Sequence, residues 1–250
     1  MAGRRLKAEL KTLLQQDDWF ERLHARLDAS AAPEGERLAP AAVLGSLFSF
    51  LLLDGVVRWR AATAVGMAVA VLCGTPRKGE ASGGVSGKVE AGRDILRRLM
   101  WNLNEESGNV AWGAPEAMAE CLAQHPWLAE EYHNILISYI DNTIHHGLWL
   151  DLPLLRRGAV WGVSRLCCAR PDLMARAGRP LMAALQDCED PEIPGLAAWG
   201  LGCLRWQEAR PALTALASSP VPVTWYHDGE IVQTTVGTLA GQALAALGDA

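Results

Sequence analysis

Asp190-Pro191-Glu192-Ile193-Pro194-Gly195-Leu196-Ala197-Ala198-Trp199-Gly200-Leu201-Gly202 is an acidic start followed by small residues at helical spacing. The same phrase stands at Asp54-Gly55, Val57-Arg58, Ala61-Ala62 and Ala64-Val65-Gly66. Weaker copies begin at Val110, Leu155 and Ile231, so the anchors 57, 110, 155, 193 and 231 are spaced by 53, 45, 38 and 38 residues. A period in that range is the signature of a helical solenoid, in which each helix pair buries its apolar face only against its neighbours. The expected fold is therefore all-α, an α-α superhelix of about five helix pairs. A leading helical pair over residues 1–30 precedes repeats over 41–247, and the whole of 1–250 reads as one domain.

The periodicity places helices at Arg4 to Gln16, Asp18 to Ala29, Ala41 to Leu53, Val56 to Cys73, Val89 to Leu103 and Val110 to Gln124. Further helices follow at Trp127 to His145, Leu154 to Ala169, Asp172 to Asp187, Glu192 to Trp206, Glu208 to Ser218 and Glu230 to Leu247. No segment alternates as a strand would, and Ser219 to Trp225 is the one stretch expected to be extended. The long first interval is explained by Gly74 to Lys88, a Gly/Ser/Lys insert with too little apolar surface to order itself. Small residues such as Ala61, Gly66, Ala159, Gly162, Ala197 and Gly200 are expected where helices of adjacent repeats approach closely. Asp54, Asp190 and Asp228 are expected to cap the helices that follow them or to pair with Arg58 or Arg156. Pro180 and Pro211 are expected to kink theirs.

These phrases resemble the HEAT-like repeat family, in particular its short form associated with bilin lyases, whose unit reads Asp-Pro-x-Val-Arg-x-x-Ala-Ala-x-Ala-Leu-Gly. The copy at 190–202 departs at Pro194, where the family has Arg; the copy at 54–66 keeps Val57-Arg58. The whole-chain arrangement is similar to that of a bacterial HEAT-like family that implies no particular activity. The resemblance implies a fold and leaves function open, because such stacks serve as scaffolds, lyase subunits, DNA glycosylases and hydroxylases.

Half the residues are apolar and a fifth are charged, which excludes a disordered chain. Charge is unevenly placed: residues 101–150 carry seven acids and no Lys or Arg. An uncompensated acidic stretch repels phosphate, so nucleic acid is not an expected partner. Neither is a membrane, since Ala41 to Leu53 and Ala61 to Gly74 are of buried-helix length and flank Asp54, Arg58 and Arg60. The six cysteines lie in apolar helical stretches without C-x-x-C spacing. They read as small core thiols of a cytoplasmic protein, and the basic N-terminus does not look like a signal peptide.

Ten Trp against three Phe and three Tyr is an unusual aromatic choice for a core. In the HEAT-like register the Val-Arg helix lines a concave surface, and Trp59, Trp112, Trp161 and Trp199 occupy positions that point out of the stack. With Glu116 and Arg156 they would line a partly acidic groove for a protein or peptide partner, Trp being a common binding anchor. Asn102, Asn104, Glu105, Glu106 and Asn109 crowd one inter-helix loop and would form its polar rim. Asp141 and His145, at i and i+4 on an expected helix, with His146, are the weak candidates for metal ligation; no metal or cofactor is expected. No nucleophile has an activating context, so the expected role is a non-catalytic scaffold. The alternatives implied by the resemblance are an enzyme acting on a cationic substrate, similar to the DNA glycosylases, and a bilin-lyase-like subunit.

Overall fold

The computed structural model describes residues 2–28, 33–74, 87–103, 112–143 and 148–248. They fall into two compact units, residues 1–128 and 129–250. Each is built from helix pairs whose second helices pack side by side, the arrangement of an α-α repeat solenoid.

In the first unit, α1 (Ala2–Leu13) and α2 (Trp19–Leu27) pack against α3 (Pro40–Phe50) and α4 (Val56–Cys73), followed by α5 (Gly87–Leu103) and α6 (Ala114–Gln124). Helix α4 is the centre. It is apolar around most of its circumference, as a helix enclosed on all sides must be. By length and composition α4 could cross a membrane, yet 72% of that window is buried inside the protein. Its main partner is α6, and the approach is set by Gly66: a Cβ there would come 2.8 Å from the backbone carbonyl of Glu120. Arg60, although charged, is only 3% exposed. Its guanidinium donates to the Leu14 and Gln16 carbonyls at 3.1 and 2.8 Å and lies over the Trp19 ring, so it supplies donors just past the end of α1.

Helix α7 (Pro126–Ser138) leads on to the second unit, where α8 (Pro153–Ala169), α10 (Ile193–Cys203) and α12 (Val236–Leu247) stack in that order. Helices α9 (Gly178–Ala184) and α11 (Arg210–Leu216) are their short partners. Gly202 allows the α10/α12 contact, since a Cβ there would stand 2.8 Å from the Cα of Ala243. Pro180 sits in the first turn of α9 and Pro211 in that of α11. They start helices rather than kink them, because proline's missing N–H costs nothing where no partner is available.

Further expectations are corrected. Glu230 to Leu247 is not one helix: β1 (Pro222–His227) and β2 (Glu230–Thr235) form an antiparallel hairpin, and α12 begins at Val236, capped by Thr235. Asp228 and Gly229 turn the hairpin with φ of 48° and 83°, as a tight two-residue turn requires. Asp228 is therefore a turn residue and not a helix cap, and α4 likewise starts from Gly55 without a side-chain cap. The region 172–187 breaks into two 3-10 turns and the short α9, and the helix expected from Val110 begins at Ala114 after a turn at Trp112 and Gly113. Of the insert, Gly74 closes α4, its N–H donating to the Ala70 carbonyl and its own carbonyl standing 3.1 Å from His125 Nε2, while Gly87 and Lys88 open α5. Residues 75–86 lie outside the described residues.

The cysteines also divide. Cys73, Cys121 and Cys167 are buried free thiols, and burial pushes the pKa of each upward. Cys188 is exposed, and Cys168 and Cys203 form a disulfide between α8 and α10, with Cα atoms 4.9 Å apart. Cys168 is one residue past Cys167, about 100° around the helix, so one side chain enters the core and the other leaves it. With a bonded pair present, cysteine usage no longer argues for a reducing compartment.

Candidate functional site

The expected groove residues fall in different environments. Trp59 is 7% and Trp161 1% exposed, so these two rings are core side chains of their units rather than surface ones. Trp161 donates from Nε1 to the Tyr226 carbonyl at 3.0 Å, a partner supplied by the hairpin that repeat register could not reveal. The structure does bring Trp161 and Trp199 together, with ring centroids 6.3 Å apart. Trp199 is half-buried and meets Trp225 edge-on at 5.4 Å, and Trp225 stacks on His227 at 4.2 Å. Trp112 is half-buried in the turn before α6, and Glu116 is 5% exposed on α6. Asn102 lies half-buried near the end of α5; Asn104, Glu105, Glu106 and Asn109 lie outside the described residues.

Arg156 is 2% exposed and almost fully engaged. It donates to Asp187 at 3.1 Å, to the Leu150 and Asp151 carbonyls at 3.0 and 3.1 Å, and to Glu189, with Trp149 lying 4.8 Å from its guanidinium. Such saturation makes it a latch between the start of α8 and the loop before α10. Arg157 completes the latch by pairing with Asp190 and Glu192. Asp190 thus pairs with the neighbour of the expected arginine, and it also accepts from the Glu192 amide at 3.0 Å. Burial pushes the Asp190 carboxyl above its ordinary range, while Arg157 pulls it down.

The helix expected to carry the weak metal candidates is shorter than the sequence suggested. Asp141 stands in the turn after α7 and not on a helix, because α7 ends at Ser138. Its carboxylate accepts from Thr143 through both N and Oγ1, at 3.0 and 2.6 Å. Among the described residues no cluster of three or more His, Cys, Asp or Glu could hold a metal; His145 and His146 lie outside them.

Two cavities open along α9 instead. The smaller, about 230 Å³, is lined by Trp149, Arg156, Asp187, Cys188 and Glu189 together with apolar Ile140, Val160 and Ile193. The larger, about 580 Å³, is lined by Asp141, Asn142, Thr143, Arg176, Arg179 and Trp206. Asn142 and Ala183 line both, so the two are adjacent. Close seating of the Trp206 ring depends on Gly178, where a Cβ would come 2.6 Å from it. Of the lining residues Arg156 and Asp141 were legible as candidates, Asp141 only for a metal; Trp149, Trp206 and Arg179 occupy loop or helix-end positions that the repeat pattern does not mark.

No protein-family model matches the chain. It is 24% identical over 152 residues to an uncharacterised protein of Archaeoglobus fulgidus, a match covering 61% of this chain and 78% of that protein. Among solved structures it is similar to a designed armadillo repeat protein in complex with the peptide (KR)4, at 19% identity, a TM-score of 0.47 and coverage of 96% and 98% of the two chains. An engineered protein is similar at 17% identity and a TM-score of 0.48, with 97% and 98% coverage.

Proposed function

We propose that this protein is a non-catalytic binding scaffold that takes up a peptide or protein segment in the cleft beside α9. The observation that carries this reading is the pair of adjacent cavities, whose walls combine two Trp side chains with both charge signs. An aromatic anchor beside fixed charges suits a peptide, which brings apolar side chains and polar backbone together. At the wide end Arg176 and Arg179 are exposed, and Arg179 makes no ion pair among the described residues, so that end suits an acidic group. At the narrow end the excess of Asp187 and Glu189 over Arg156 suits a neutral or basic one. Trp199 lies apart from this cleft lining, in an aromatic cluster with Trp225 and His227.

Ala183 tests the proposal, being exposed on α9 and shared by both cavities. Peptides enriched from a random displayed library on the wild-type protein should bind Ala183→Trp at least tenfold more weakly, or about 1.4 kcal/mol. The melting temperature should stay within about 2 °C, since an exposed helix position tolerates the change. Equal binding by the two proteins, or no enrichment at all, would sink the reading.

Nucleic acid is not the proposed partner. The seven acids between 101 and 150 carry no compensating base in that stretch. Duplex DNA should therefore bind no more tightly than micromolar at about 150 mM salt, and submicromolar affinity in a fluorescence-anisotropy titration would reverse this expectation.

A further inference from the structure

The Cys168–Cys203 disulfide stands at the root of both walls of the larger cavity. Cys168 is the next-to-last residue of α8, and the chain beyond it runs through a 3-10 turn (Pro171–Leu173) and buried Met174 into Ala175, Arg176 and Arg179. Cys203 ends α10, and the chain beyond it passes through Arg205, held at a positive φ of 51°, to Trp206, which lines the same cavity. Arg205 is in a backbone region that non-glycine residues occupy only when their surroundings impose it. One covalent bond therefore fixes the origin of two segments that meet again where the Trp206 ring packs against Gly178.

We infer that Cys168 and Cys203 form a reversible thiol–disulfide site whose oxidation state sets the order of these cavity walls. Its chemistry is exchange with a low-molecular-weight disulfide. One cysteine thiolate attacks a reagent sulfur, making a mixed disulfide and expelling one thiolate; the second cysteine attacks the protein sulfur and expels the other. Two cysteine thiols lose two protons and two electrons, and the reagent disulfide leaves as two thiols; an external dithiol runs the sequence backwards. Access favours this pair. Cys168 is exposed and Cys203 half-buried, whereas Cys73, Cys121 and Cys167 are enclosed. Cys188, exposed and unbonded, serves as the internal control. The inference concerns the free protein and does not depend on the peptide reading.

The test uses the full chain equilibrated with oxidised glutathione or with dithiothreitol, followed by alkylation and peptide mapping, melting, and hydrogen-exchange mass spectrometry. After oxidation, Cys168 and Cys203 should resist alkylation and appear as one linked peptide pair, while Cys188, with no second cysteine bonded to it, should carry glutathione or the alkyl group and enter no protein cross-link. Reduction should lower the melting temperature by roughly 5–15 °C, the effect of opening a loop of this length in a protein of this size. It should also speed exchange in 171–180 and 204–209 at least tenfold, with 239–247 little changed. The Cys168→Ala/Cys203→Ala protein, its fold checked by circular dichroism, should match the reduced wild type and ignore dithiothreitol. Free alkylation of both cysteines after oxidation would overturn the inference, as would a melting shift below about 2 °C, deprotection spread evenly over the unit, or a dithiothreitol response equal in the double variant.

Discussion

Trp161→Ala is expected to destabilise the protein by about 3–5 kcal/mol, the usual loss when a large aromatic is removed from a packed interior. The ring is 1% exposed on α8 and touches Trp199 and Tyr226, and its indole N–H satisfies the Tyr226 carbonyl at 3.0 Å. Truncation therefore opens a cavity and also releases the hairpin from the helices beneath it. At about 2–4 °C per kcal/mol for a protein of this length, the melting temperature should fall by roughly 6–20 °C. Calorimetry decides between the two roles this residue could have. A surface binding contact would leave the transition where it is, and a change under about 2 °C would show that the ring is not a core element. Trp161→Phe, which refills most of the volume without the donor, should recover more than half of the loss.

Arg156→Ala should cost about 3 kcal/mol, measured by urea unfolding. The loss has two sources: the Leu150 and Asp151 carbonyls lose their donor, and Asp187, a carboxylate only 10% exposed, loses its cation. Asp187 keeps the Glu189 and Asp190 amides at 2.8 and 3.0 Å, which holds the figure at the lower end of the range for a broken buried pair. Lysine is no substitute here, because one ammonium cannot reach the three directions that the planar guanidinium serves. Arg156→Lys is expected to retain less than half of the contribution. Arg157→Ala should cost less than Arg156→Ala, since Arg157 is 29% exposed. If Arg156→Ala unfolds at the wild-type urea midpoint, the latch is not holding α8 to the loop before α10.

The disagreement between repeat register and burial has one physical origin. Register states which side of a helix a residue is on, and in the second unit the Trp161 and Trp199 rings lie 6.3 Å apart. It cannot state what lies against that side. The hairpin does, and its signal was present as Asp228-Gly229, a dipeptide suited to a tight reversal, followed by the β-branched Ile231, Val232, Thr234 and Thr235. Once β1 lies over α10, with the Thr224 amide donating to Glu192 at 2.6 Å, a position facing out of the repeat becomes interior.

What the sequence determined by itself is everything governed by local period and backbone chemistry. The helix pairs follow from apolar spacing, the helix starts at Pro40, Pro153 and Pro194 from proline's fixed φ, and the close α4/α6 and α10/α12 packing from Gly66 and Gly202. What only the tertiary structure decided is everything set by partners distant along the chain. Arg156 is saturated by residues 31 and 33 positions away, and Trp161 is capped by a carbonyl 65 positions away. The cleft beside α9 draws its walls from 140–143, 149–160, 175–193 and Trp206, and the Cys168–Cys203 bond spans 35 residues. Period reports only on neighbours within a few turns, whereas a cavity or a disulfide is fixed by where separate segments come to rest.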